Sequence, residues 1–249
     1  MKGKKLSELT WEEARDAINE ESIVVLPISG GTKEHGPHLP CGADLMVVEE
    51  LGNRVVSSFP VILLPALAYG YYPAFVDWPG SVSISPDHFM GVTGDIIRSI
   101  AKFGVKKFLI IDGGVSTHPP MRILSSELHN ELGLRLAVTN ILGLGDEVRK
   151  EITEQEFGGH GDELETSCIL AIRPDLVKME KAVEDKNFQI PGTRGEDGVV
   201  KIHVSGKMVS KSGVNGNATL ATPEKGEKLL QAMTDDILEF LQYFSKIKV

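Results

Sequence analysis

The chain is short of cysteine, of positive charge and of long apolar runs, and each shortage removes a class of function. Two cysteines among 249 residues, Cys41 and Cys168, exclude a disulfide-rich scaffold and any paired CxxC metal site. Lysine and arginine number 26 against 35 aspartates and glutamates, a formal charge of -9, so the basic face that neutralises phosphates is missing and no nucleic-acid partner is expected. No apolar run approaches the roughly 18 residues of a membrane span. The opening MKGKKLSELTW carries no apolar stretch behind its charges. A cytoplasmic protein with reduced thiols and no membrane partner is the expectation. A Walker loop, a dinucleotide glycine fingerprint and a serine nucleophile elbow are also missing. Cys41 reads as a small half-buried hydrophobe rather than a reactive thiol.

What is present is ordinary in bulk and uneven in detail. Apolar residues make up 41% and charged ones 24%, which suits a packed globular core, and the length suits one domain over residues 1–249. Thr10 caps a predicted amphipathic helix with Trp11, Ala14, Ala17 and Ile18 at helical spacing. Apolar β-branched runs predict strands at Ile23 to Ile28, Val61 to Leu64, Lys107 to Ile111 and Arg135 to Ile141. Helical periodicity falls at Asp44 to Ser57, Pro86 to Phe103, His118 to Leu132, Asp162 to Arg173 and Pro223 to Phe244. Gly143 to Gly161 reads as a polar connector. Val199 to His203 and Lys207 to Ser210 read as a small hairpin. Strands alternating with helices predict an α/β fold whose sheet is mostly parallel, with helices on both faces.

Chemistry concentrates in three strand-to-helix loops, where ligands of open α/β sheets usually sit. The first, GGTKEHGPHLPCGAD at Gly30 to Asp44, holds Glu34, His35, His38 and Asp44 on a path fixed by glycine and proline. Imidazole with carboxylate suits zinc, manganese or iron, although a histidine that only bonds the loop and an aspartate that only caps a helix explain the same residues. The second is GGHGDELETS. Asp162 and Glu165 form a capping-box pattern, which leaves His160 and Glu163 unexplained. The third, DGGVST at Asp112 to Thr117, offers amides near Gly113, Gly114 and Ser116 to an anion or a developing oxyanion. His118 reads as a surface residue near a helix start. Aromatic residues from Tyr71 to Trp78 read as a pocket wall, with Tyr72 and Trp78 as substrate contacts.

Four motifs in order resemble the creatininase (creatinine amidohydrolase) family: EHGPHLP with Asp44 after it, WPGSVS at Trp78 to Ser83, HGDELETS at His160 to Ser167, and GVNGNATLATPEKG at Gly213 to Gly226. The resemblance implies a three-layer α/β fold, metal-dependent hydrolysis of cyclic or linear amide C–N bonds, and homo-oligomers, often hexamers. His35 matches the family's ligand histidine, Asp44 its metal-bridging aspartate, His160 its catalytic histidine and Glu165 its ligand or catalytic glutamate. Two family ligands are absent: Lys33 stands at a glutamate position and Gly114 at a histidine position. Both serve the same metal, so one lysine ammonium in place of one dication is the expected exchange. The implied enzyme is a small-molecule amidohydrolase with one divalent metal per subunit, zinc, manganese or iron, near His35, Asp44, Glu165 and Glu34. His160, Glu165 and Lys33 are its expected catalytic groups. The rival readings are a metal-free ligand-binding relative and a lyase or isomerase built on Lys33.

Overall fold

A computed structural model describes residues 2–187 and 203–248. Its central sheet is built from β1 (Lys4–Lys5), β2 (Ile23–Ile28), β3 (Ile62–Leu63), β4 (Lys107–Asp112) and β5 (Arg135–Val138). The order is β1-β3-β2-β4-β5, and every pairing is parallel. The three inner strands, β3, β2 and β4, are buried along their whole length, as expected where helices cover each face. Alternation divides their side chains. Ile23, Val25, Leu109 and Ile111 join one core cluster, while Val24, Leu26, Ile28, Phe108 and Ile110 join the other.

The first cluster is closed by α2 (Ala43–Ser58), α6 (Glu163–Ile172) and α8 (Pro223–Phe244), through Leu51, Val55, Cys168, Leu229 and Leu241. The second is closed by α3 (Pro86–Ala101) and α4 (His118–Leu132), through Phe89, Ile97, Met121, Leu124 and Leu128. The fold is thus three layers. Helix α8 approaches α6 closely: a Cβ on Gly226 would lie 1.9 Å from the Ser167 carbonyl oxygen, so only glycine fits that crossing.

Strand β2 leads through α2 to β3 on one side, and β3 leads through α3 to β4 on the other. The carboxyl ends of β2 and β4 therefore border a switch-point crevice, and the loops Gly30 to Asp44 and Asp112 to Thr117 leave from it.

Several local expectations need correcting. The amphipathic helix α1 (Trp11–Ala17) has the predicted Thr10 cap, completed as a capping box by Glu13, but buries no residue, and Trp11 is 73% exposed. The connector after β5 contains a helix, α5 (Asp146–Ile152), whose single buried residue, Ile152, leaves little apolar periodicity to read. Lys207 to Ser210 is no hairpin arm, because Ser205 caps a short helix α7 (Gly206–Val209). The other arm, 199–202, lies outside the described residues. A small antiparallel pair, β6 (Glu184–Asp185) with β7 (Gly216–Asn217), was not anticipated. No helix among the described residues is long and apolar enough to cross a membrane.

Candidate active site

The loop after β2 brings three groups onto one carboxylate. Asp44 lies in the first turn of α2, where a negative charge suits the helix dipole. Its Oδ2 is 2.5 Å from Lys33 Nζ and its Oδ1 2.6 Å from His35 Nε2, with all three residues buried. The other ring nitrogen, Nδ1 of His35, donates to the Lys33 carbonyl at 2.9 Å. Both neighbours of the ring are acceptors, so without a cation at Nε2 the imidazole must carry two protons. Burial opposes that charge, but the Asp44 carboxylate outweighs it and raises the His35 pKa. Burial likewise opposes the Asp44 charge, yet His35 and Lys33 hold its carboxyl far below the usual range. The Lys33 ammonium also stands 4.9 Å from the Phe75 ring centroid and 5.2 Å from that of Tyr72.

His160 arrives from the far side, ahead of α6. Its backbone pairs with Asn215 in both directions, at 2.7 and 3.3 Å. Its ring lies 4.4 Å from Phe75 and 4.8 Å from the His35 ring. Nε2 of His160 is 3.2 Å from Glu34 Oε2, and Nδ1 is 3.8 Å from Glu165 Oε2. Glu34 is fixed in turn by the Gly36 amide. Gly213 has φ +86°, and a Cβ there would run into the Glu34 carboxylate. That explains the glycine opening the GVNG motif: the segment holds His160 by its backbone and leaves room for Glu34.

His35, His160 and Glu165 place one donor atom each within 4.8 Å of one another. Two nitrogens and a carboxylate oxygen of this kind suit one divalent cation once they draw closer; Nδ1 of His35 and Nε2 of His160 have oxygen neighbours, as metal-bound histidines usually do, and a cation at His35 Nε2 would take the place of its contact with Asp44. Glu34 stands behind His160 and Asp44 beside His35, and neither belongs to this group of three. Among the described residues no other three donors converge in this way. Lys33 occupies one side of Asp44, and a Cβ on Gly114 would lie 2.4 Å from Thr117 Oγ1 and 3.1 Å from the Tyr72 ring.

The Asp112 loop is less open than its glycines suggest. The Gly113 N–H donates to the Ile28 carbonyl at 3.0 Å and the Gly114 N–H to Asp112 Oδ1 at 3.1 Å, so these two amides are not free for an oxyanion. Asp112 Oδ1 also accepts from the Thr117 hydroxyl at 2.5 Å, while Oδ2 makes no hydrogen bond and lies 3.6 Å from His118 Nδ1. Burial pushes the Asp112 carboxyl from 3.8 up to about 7, against the pull of its bonds from Thr117 and Gly114. A carboxyl with a raised pKa takes up a proton on folding, so its contribution to stability falls as the pH rises from about 4 to about 7. Asp112→Asn, which keeps the Oδ1 acceptor and cannot ionise, is expected to flatten that fall by up to roughly 4 kcal/mol. Urea unfolding at acidic and neutral pH reads this directly. Equal pH slopes in the two proteins would contradict it.

These loops enclose a cavity of about 330 Å³. Lys33, Asp44, Tyr72, His160 and Glu165 line it, and so do Gly113, Gly114 and Ser116. Burial is the largest influence raising the Tyr72 phenol pKa well above its ordinary value, with Asp44 next. Trp78 is not part of the wall; its ring lies under Lys207 Nζ at 5.3 Å, beside α7. His38 also stands apart. Nε2 meets Thr166 Oγ1 at 2.7 Å, and burial, then neighbouring His35, lower its pKa to about 4, so it is a neutral structural residue. In HGDELETS, Asp162 caps α6 as expected, but the Glu165 carboxylate takes the Gly161 N–H at 2.7 Å rather than that of Asp162. Glu163 is wholly buried and paired with Lys225 at 2.5 Å, away from this site. Sequence reading missed Arg149 and Asn215 in the wall. Arg149 follows from α5, which the polar connector concealed; the asparagine lay within the GVNG motif.

The family model described as creatinine amidohydrolase matches residues 7–241. A 3-dehydro-scyllo-inosose hydrolase of Thermotoga maritima is 25% identical, over 91% of this chain and 79% of that protein. The creatinine amidohydrolase of Pseudomonas putida is also 25% identical, over 95% of each chain. Among solved structures, a creatinine amidohydrolase (creatininase) superposes with a TM-score of 0.83 at 22% identity, covering 100% of both chains.

Proposed function

Because the chain belongs to the creatininase family, we propose that it is a hydrolase of an amide or lactam C–N bond in a small molecule, dependent on one divalent cation. The observation that carries this reading is the convergence of His35, His160 and Glu165 on one point at the cavity, beside a buried ammonium. The donor set suits zinc, manganese or iron. A cation held there would supply Lewis acidity, polarising a carbonyl and acidifying water.

The chain's own groups do the rest. Lys33, fixed by Asp44 at 2.5 Å and facing the cavity, stabilises negative charge on the carbonyl oxygen as water adds. This takes over the role the loop amides of Gly113 and Gly114 cannot fill. Glu165, its side chain 37% exposed, accepts the Gly161 N–H with one oxygen; during turnover that oxygen exchanges the amide for water, takes its proton and returns it to the leaving nitrogen, while the other oxygen faces the cation. Glu34 orients His160, whose use as a cation donor replaces the general-base role expected from the motif. Lys33 is committed to Asp44, which disfavours the amine-nucleophile alternative. Homo-oligomeric assembly in the cytoplasm belongs to the same proposal.

The test is a panel of small linear and cyclic amides, assayed for released amine or ammonia after the protein is supplied with zinc, manganese or iron. Hydrolysis that a chelator abolishes and metal restores is expected, with His160→Ala inactive. Turnover unaffected by chelation, or equal in His160→Ala, would overturn the reading.

A further inference from the structure

Among the described residues Arg149 is a cation without a counter-ion. It projects from α5 into the cavity wall, alongside Ile141, Leu142, Leu229 and Met233. Among the described residues its side chain makes one hydrogen bond, from a terminal nitrogen to the Ile141 carbonyl at 3.4 Å, and its Nε is buried with no partner. Among the described residues no carboxylate lies within ion-pair distance of it. The other cavity cation, Lys33, is neutralised by Asp44 at 2.5 Å. This half-buried guanidinium has its Nε shut off from solvent with no acceptor, and its planar fork matches a carboxylate.

We infer that Arg149 binds a carboxylate of the substrate, so that the class acted on is a small amide carrying a free carboxylate. The inference rests on reading this cavity as the active site. One uncompensated positive charge balances one negative charge. A phosphate would bring a second charge close to Asp44, Glu165 and Asp162, which line the same space, and a carboxylate does not. The cavity, about 330 Å³, accommodates a compact molecule whose amide reaches the His160 and Glu165 end while its acid meets the guanidinium.

Matched probes test this. Malonamate, succinamate and glutaramate each carry one amide and one carboxylate, and their neutral diamides differ only in lacking the charge. Binding is measured by calorimetry on the metal-supplied protein, and hydrolysis by ammonia release. At least one acid is expected to bind about 10- to 100-fold more tightly than its diamide. Arg149→Met should bring that ratio close to one, and Arg149→Lys should restore part of it, with thermal unfolding confirming that both variants fold. Equal binding of acid and diamide in the unaltered protein, or a preference that survives in Arg149→Met, overturns the inference. Arg149-dependent binding without turnover of any amide would support it while sinking the hydrolase reading. Turnover of diamides and acids alike would do the reverse.

Discussion

Asp44→Ala is expected to reduce kcat/KM by about 100- to 1,000-fold, the scale of losing one electrostatic group aimed at the reacting centre. The same change should lower unfolding stability by about 3–5 kcal/mol, because it leaves buried charge without a partner. The carboxylate is the common acceptor for Lys33 at 2.5 Å and His35 at 2.6 Å, and each of these is buried. Removing it leaves the buried Lys33 ammonium without its partner and takes from His35 the carboxylate that raises its pKa. The double variant Asp44→Ala/Lys33→Met should recover much of the stability and none of the activity, since it removes the stranded ammonium together with the oxyanion partner. Urea denaturation and steady-state kinetics on the three proteins separate the two effects. If Asp44→Ala were as stable as the parent, the network would not be the electrostatic anchor of the loop.

Lys225→Met should cost about 3–5 kcal/mol of stability at neutral pH while leaving the catalytic groups in place. Glu163 is wholly buried at the start of α6, and Lys225 Nζ reaches it at 2.5 Å. The carboxylate also accepts the Glu154 and Gln155 N–H groups at 3.0 and 2.8 Å, so part of its charge stays solvated by the backbone and the lower end of that range is favoured. Glu163→Gln in the Lys225→Met background should return most of the loss. The measurement is the shift in urea midpoint for the single and double variants. A double variant less stable than Lys225→Met alone would show that the buried charge is not the source.

The two predictions mark what the sequence made readable. Asp44, His35 and Lys33 sit within twelve positions; residue type and spacing marked the histidine and the aspartate, and the resemblance to a family with a glutamate at position 33 marked the lysine. The inner strands were equally plain, because both faces of β2 and β4 are buried and the apolar runs are unbroken. His160 and Glu34 are 126 positions apart, and nothing local ties them together. Their contact depends on the fold closing α6 over the switch point. Glu163 resembled a site residue by its neighbours in HGDELETS, and only its partner 62 positions on makes it structural. Trp78 read as a substrate contact with the aromatic residues from Tyr71 onward, yet its ring packs under Lys207 and does not line the cavity. Arg149 was hidden by α5, a helix too polar to announce itself by periodicity.

The exchange of a metal for Lys33 is the centre of the account, and metal stoichiometry tests it most directly. Protein purified without chelator or metal-affinity resin, supplied with zinc, manganese or iron and dialysed, is measured by elemental analysis. The account predicts about one tightly held ion per chain, lost in His35→Ala and in His160→Ala, as a site with only three protein donors requires. Two ions per chain, or none after metal is supplied, would contradict it.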